Sequence, residues 1–330
     1  MKFLKPLLLL MGLGLLAGLV ATNQPAEIFA SMARLSWRLG ILLCFPVTLV
    51  MIFDTLGWRF AFLRDRVTFT TLAWVRLAGE AFNLATPTAA LGGEAIKAWL
   101  LRGVVALDES IPSIVVAKTT IVIGQGLFLL VGIALAWHSA LADSPLLWAM
   151  VGLLAVEILG LGGFVVAQTR GMFEGGRRLL ERLGVRSFGH GQTTRRVDHG
   201  LASFYRREPR RLLLSIFFHF VAWVLGALEA YLILRFLGID LSLTTAVVIE
   251  AFGTGVRFVT FMIPGSLGAL EGSYVATFVA LGLSPAAGIS FGLTRRLREL
   301  VWVLAGLIVF AVMRPERQTL AEITRASGVD

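Results

Sequence analysis

PTAALGGE at residues 87–94 and PGSLGALE at residues 264–271 are the stretches that decide how this chain folds. Each opens on a proline, runs through glycines and ends on a glutamate inside an otherwise apolar region. A basic residue follows at a fixed distance, Lys118 after the first and Arg295 after the second. Pro87, Glu94 and Lys118 thus recur as Pro264, Glu271 and Arg295 at one offset of 177 positions, keeping internal spacings of 7 and 24 residues. Helix breakers and carboxylates are costly within hydrocarbon, so a matched pair of them reads as a binding site in a duplicated membrane protein.

Working outward, composition sets the class. Of 330 residues, 57% are hydrophobic and only 15% charged, too little polar surface for a soluble globule. The expected fold class is an all-α polytopic membrane protein. Hydropathy gives six full spans, at 4–21, 39–58, 111–137, 145–168, 212–236 and 285–313, each near the ~20 residues a bilayer helix needs. Lys2 and Lys5 precede a leucine-rich run that resembles a signal peptide. Leu19 before Ala21 makes a poor cleavage site, so an uncleaved span is favoured. Regions 69–101 and 243–283 hold the two motifs, and their glycine and proline breaks suit broken or re-entrant helix pairs.

The division that follows is a first membrane half, 1–168, with a re-entrant motif at 82–101, and a second half, 212–330, with a re-entrant motif at 257–283 and a short cytoplasmic tail. Between them lies a basic linker, 169–211, carrying 11 arginines against four acids. Phe173, Leu179, Leu180 and Leu183 alternate there with Arg177, Arg178 and Arg182, a pattern shared by a surface helix and a solvated topological linker. With the N-terminus inside, cytoplasmic segments hold 20 of the 30 basic residues and the outer loops only Arg34 and Arg38. Both termini are therefore expected in the cytoplasm of a bacterial cell with the chain in its inner membrane. The same asymmetry accounts for the net charge of +9, and nucleic acid is not expected as a partner. Three full spans separate the motifs. An odd number of crossings sends the second motif into the membrane from the face opposite to the first, an inverted repeat.

Apart from Lys5 at the very start of the first span, sixteen charged residues fall in these membrane segments, eight of each sign. A lone charge at the bilayer centre costs about 2.5 to 3.5 kcal/mol even on insertion scales, so these groups need partners or a wet cavity. Arg76, Asp54 and Arg235 lie near proposed span ends, where snorkelling explains them. The substrate-binding candidates are Glu94, Lys97, Lys118, Arg257, Glu271 and Arg295, with Pro87, Gly92, Gly93, Pro264, Gly265 and Gly268 as the helix breaks. Glu80 and Glu157 are further buried charges, and a structural ion pair remains an open reading of Lys118 and Glu157. The single cysteine, Cys44, sits in an apolar run. There is no HExxH, CxxC or GxxxxGK[ST], and only four histidines, so no metal, cofactor or enzymatic chemistry is expected. Gly12, Gly14 and Gly18 read as close helix packing within the first span.

FNLATPTAALGGEAIKAWLL at 82–101 with Lys118, and IPGSLGALEGSYVATFVALGLSPAAG at 263–288 with Arg295, resemble the lysylphosphatidylglycerol synthase transmembrane family. That flippase-like group has stand-alone integral membrane members, hopanoid-associated ones among them. The likeness extends over nearly the whole chain. It implies a lipid-translocating region, which bifunctional relatives join to a soluble aminoacyl transferase. Only residues 314–330 follow Met313, so the synthase activity is not implied. Lys97 and Lys118 stand where arginine is commoner in that family, and Thr88 replaces a frequent glycine, which weakens the expectation of bidentate phosphate recognition in the first half. The expected function is a flippase-like transporter of a polar lipid or lipid-linked intermediate. Its partners would be membrane lipids with anionic or zwitterionic headgroups, and a homo-oligomer is compatible with the sequence. The alternatives are an ion-coupled transporter of a small soluble solute and an accessory scaffold in lipid biosynthesis. An opening toward the lipid would separate the first two.

Overall fold

The structure, a computed structural model, describes residues 4–86, 92–139, 141–182 and 191–313. Those residues form thirteen α-helices and no strand, so the protein is all-α and polytopic. In chain order they are α1 (Leu4–Thr22), α2 (Pro25–Ala33), α3 (Arg38–Phe60), α4 (Phe69–Ala85), α5 (Gly92–Leu101), α6 (Leu107–Trp137), α7 (Pro145–Thr169), α8 (Met172–Arg182), α9 (Gly191–Arg207), α10 (Pro209–Phe236), α11 (Leu243–Val259), α12 (Ala269–Ala280) and α13 (Pro285–Met313).

All six expected spans occur as helices, as α1, α3, α6, α7, α10 and α13. Among the described residues, four of them, α3, α6, α7 and α10, are long and apolar enough to cross a membrane. The other two differ from them. α13 is 29 residues long but carries Arg295, Arg296, Arg298 and Glu299 within two turns, and α1 is an apolar helix of 19 residues, near the ~20 a span needs.

Each broken region is a helical hairpin built the same way. Thr68 caps α4 by accepting from Thr71 N at 3.3 Å, and Ser242 caps α11 by accepting from Thr245 N at 3.1 Å. Both first arms are 17 residues long. Second arms are shorter, 10 residues in α5 and 12 in α12, about 15 and 18 Å of helix, too short for a hydrocarbon core of about 30 Å. Six residues, 86–91, separate α4 from α5 and nine, 260–268, separate α11 from α12, three more. First arms therefore correspond at an offset of 174 positions and second arms at 177. Pro87 lies outside the described residues. Gly92 and Gly93, expected within the break, instead open α5.

In the second break, Pro264–Ser266 forms one turn of 3₁₀ helix in which Gly265 has φ 55°, and Gly268, just before α12, has φ 75°, left-handed conformations that a β-carbon strains. Ser266 adopts φ 50° despite its side chain and receives a hydrogen bond from Thr260 Oγ1 at 2.9 Å. This turn packs against α4, which brings the tip of the second hairpin onto the first.

Two apolar clusters mark the ends of the bundle. One gathers Trp58 of α3 and Phe62 just after it, Leu72 and Val75 of α4, Leu100 and Leu101 of α5, Ile114 of α6, and Val197, Leu201 and Phe204 of α9. The other gathers Leu35 and Leu42 at the start of α3, Ile233 and Leu234 of α10, Ile249 of α11, Phe278 of α12 and Phe291 of α13. The open end of the α4–α5 hairpin thus sits at the C-terminal end of α3, and that of the α11–α12 hairpin at its N-terminal end. α9 was not expected as a packed element. Its Val197, Leu201 and Phe204, spaced i, i+4, i+7, form a buried stripe against α6.

Candidate functional site

The buried charges fall into two clusters, one on each hairpin. In the first, α4 presents Arg76, Glu80 and Asn83 on one face, at i, i+4 and i+7. Lys97 of α5 donates to Glu80 Oε1 at 2.8 Å and to Glu94 Oε1 at 3.3 Å, while its ammonium lies 5.7 Å from the centre of the Trp58 ring. Lys118 of α6 reaches Glu94 Oε1 at 3.4 Å. Asn83 clasps the hairpin, accepting from Gly93 N at 2.8 Å and donating to Glu94 Oε1 at 3.2 Å. Arg76, expected to snorkel, is instead buried and donates to Asp54 of α3 at 2.6 Å. The other carboxylate oxygen of Asp54 meets His219 Nδ1 of α10 at 2.9 Å.

The second cluster has a different internal wiring. Arg295 donates from both terminal nitrogens to Glu250 of α11 and from Nη1 to the Tyr274 hydroxyl at 3.0 Å. Glu271 is not its partner. Glu271 Oε1 accepts from Arg296 Nε at 2.6 Å and Oε2 accepts from Gly268 N at 2.8 Å, closing the first turn of α12. Arg296 also donates to Glu299 at 2.8 Å, and Glu299 receives Arg257 of α11 at 3.0 Å. Glu229 of α10 lies 3.0 Å from Arg298 Nε, without hydrogen-bond alignment.

The hairpin arms touch where glycines allow it. A β-carbon on Gly79 would come within 2.5 Å of Lys97 Cε, and one on Gly253 within 2.9 Å of Tyr274 Cε1. Gly79 and Gly253 differ by 174 positions and Lys97 and Tyr274 by 177, so the two crossings correspond residue for residue. Tyrosine stands at the second crossing where lysine stands at the first. The first crossing is tighter, since a β-carbon on Gly93 would stand 2.0 Å from the Gly79 carbonyl oxygen.

Exposure separates the cations. Lys97 and Arg295 are buried with side-chain exposures of 5% and 8%, and every charge they carry is matched inside the protein. Lys118 and Arg257 keep 38% and 33% of their side chains accessible, so each cluster offers one cation outward. Of the sequence candidates, Glu94, Lys97 and Lys118 meet with Glu80 in the first cluster, and Glu271, Arg295 and Arg257 in the second; Glu157 joins neither. Asp54, Arg76, Asn83, His219, Glu229, Glu250, Tyr274, Arg296, Arg298 and Glu299 complete the clusters and were not among the candidates. The shared face of Arg76, Glu80 and Asn83 was the available signal for the first, and the run of charges 295–299 for the second. Arg235 behaves as expected, pairing with Asp240 at an exposed helix end.

An apolar groove of about 230 Å³ lies beside the first cluster, lined by Thr48, Met51 and Ile52 of α3, Phe69, Ala73, Trp74 and Leu77 of α4, and Trp302 of α13. Met51 and Ala73 precede Asp54 and Arg76 by one helical turn, and Ile52 and Trp74 face outward.

The family model described as "Lysylphosphatidylglycerol synthase TM region" matches residues 5–307. A "UPF0104 membrane protein" of Methanothermobacter thermautotrophicus is 26% identical over 252 residues, which cover 72% of this chain and 72% of that protein. No solved structure matches the chain.

Proposed function

We propose, from the premise that this chain belongs to the lysylphosphatidylglycerol synthase TM-region family, that it translocates a polar lipid across the cytoplasmic membrane with no covalent chemistry. The observation that carries the reading is the paired architecture: two capped, broken hairpins at one sequence offset, each closed on a cluster of buried charges. Hairpins whose open ends lie at opposite ends of α3 support an inverted repeat, in which a site at their tips could face each side in turn. The groove between α3, α4 and α13 favours a lipid over a soluble solute, because a solute needs no lateral apolar path beside its polar site.

Roles follow from exposure. Lys118 and Arg257 would attract an anionic headgroup, since they alone among the clustered cations combine a single partner with substantial accessibility. Glu94, Lys97, Glu271, Arg295 and Arg296 hold the hairpins to the spans. A point-charge ammonium in the first half and a guanidinium in the second make the two half-sites chemically unequal.

The test is a headgroup-accessibility assay in liposomes holding a panel of labelled phospholipids. Lys118→Gln and Arg257→Gln should fold normally and lose translocation. Arg295→Gln should instead fail to accumulate, because an unpaired Glu250 left buried costs about 3 to 5 kcal/mol. Wild-type translocation in well-folded Lys118→Gln and Arg257→Gln proteins would sink the assignment.

A further inference from the structure

The two clusters match charge for charge: three acids and three bases in the first, four and four in the second. Of the sixteen charged residues read from the sequence as intramembrane, only Arg235 and Glu157 stand apart, and Arg235 has Asp240. Glu157 has no partner among the described residues. It sits twelve residues from either end of α7, 1% exposed, and neither carboxyl oxygen has a hydrogen-bond partner there.

Its surroundings are a seam of three helices. A β-carbon on Gly126 of α6 would lie 3.5 Å from Glu157 Oε1, so glycine supplies the room that the carboxyl group occupies. One turn to either side, α11 closes the seam: Gly255 packs on Leu153, and Phe258 packs on Gly160. Charged groups on the neighbouring helices turn to partners of their own, Lys118 of α6 to Glu94, and Glu250 and Arg257 of α11 to Arg295 and Glu299. α8 and α9 meet α7 toward its cytoplasmic end, where Tyr205 donates to Gln168 at 2.7 Å, and bring no titratable group to Glu157. A buried polar group without a partner must satisfy itself in another way, and for a carboxyl group the simplest is to carry a proton rather than a charge.

We propose that Glu157 is a proton-binding site, occupied in this conformation, that couples the α11–α12 hairpin to a proton gradient. The coupling half rests on the translocation reading above. α11 forms one wall of the seam and one arm of the hairpin, so displacement of the hairpin admits water to Glu157. The O–H bond then breaks, with the proton passing to water on one side of the membrane, and re-forms with a proton drawn from the other side before the seam closes.

Two measurements test the proposal. Infrared spectra of the protein in phospholipid nanodiscs at neutral pH should contain a protonated-carboxyl C=O band that Glu157→Gln removes, and this variant should melt with the wild type because one neutral group replaces another. Identical spectra, or a clear loss of thermal stability, would overturn the proton site. In liposomes with the labelled phospholipid panel, an imposed pH gradient should alter wild-type translocation and leave Glu157→Gln indifferent to it. An equal gradient response in both proteins would overturn the coupling. If no lipid moves in any arm, translocation and coupling fall together, while the infrared result still decides whether Glu157 holds a proton.

Discussion

Glycine at the hairpin crossing is the residue-scale feature on which both clusters depend. At Gly93 the obstacle to a β-carbon is backbone, the Gly79 carbonyl oxygen at 2.0 Å, and backbone cannot swing aside as a long side chain can. Gly93→Ala should therefore push α5 off α4, break the Asn83 clasp and cost about 1 to 3 kcal/mol. Gly272 in α12 has no atom within 4 Å of its hypothetical β-carbon, so Gly272→Ala should be neutral or stabilising by up to ~1 kcal/mol. Thermal unfolding in detergent compares the two; equal behaviour would mean the crossing is not a close contact. At this scale the sequence was partly legible. The repeat singled out Glu94 with Lys118 and Glu271 with Arg295 without saying which charges meet; Lys118 meets Glu94, whereas Glu271 meets Arg296. Neighbouring residues on a helix differ in direction by about 100°, and the rotation of α13 about its axis is set by packing against α12, where Gly288 and Gly292 face Tyr274 and Glu271.

Elements differ in what made them readable. The long spans announce themselves by hydropathy, whereas α9 does not, because its buried stripe is interleaved with arginines. The structure joins α8 to α9 through two carboxylates. Asp198 of α9 accepts from Phe173 N at 3.1 Å and Glu174 N at 2.9 Å, capping α8 from outside. Glu174 in turn accepts from Arg177 Nη2 at 2.8 Å and from Thr194 Oγ1 of α9 at 3.1 Å. The hydrogen bond from Arg177, with Thr194 and Arg178 assisting, holds the Glu174 carboxyl at about 2, below its ordinary 4.5. A carboxyl depressed on folding stabilises the fold fully above its unfolded value and loses that contribution as pH falls through the folded one. The α8–α9 contact should therefore loosen as pH drops from about 4.5 toward 2. Spin labels at the exposed positions Gly176 and Gln192 should report a broadening distance across that window. Glu174→Gln should abolish the pH step, and a step that survives the substitution would locate the titrating group elsewhere.

For the whole molecule, the proposed inversion is the claim with the widest consequences, since alternating access, the site at the hairpin tips and the coupling through α11 all assume it. Parity of crossings could be read from the sequence because three apolar runs between the motifs can be counted without knowing any contact. The apolar groove and the three extra residues in the second break could not, since both depend on where chain segments come to rest. The packing supplies a sharper form of the expectation: the link between α5 and α6 belongs to the end of the bundle that holds α9, and the link between α12 and α13 to the end that holds α2 and the start of α3. Gly103 and Ser284 are exposed residues in those two links. In a Cys44→Ser background, Ser284→Cys should react with a membrane-impermeant maleimide on intact cells, and Gly103→Cys only after permeabilisation. If both react from the same face, the hairpins enter from one side, the pseudo-two-fold axis is lost, and the site could not be offered to each leaflet in turn.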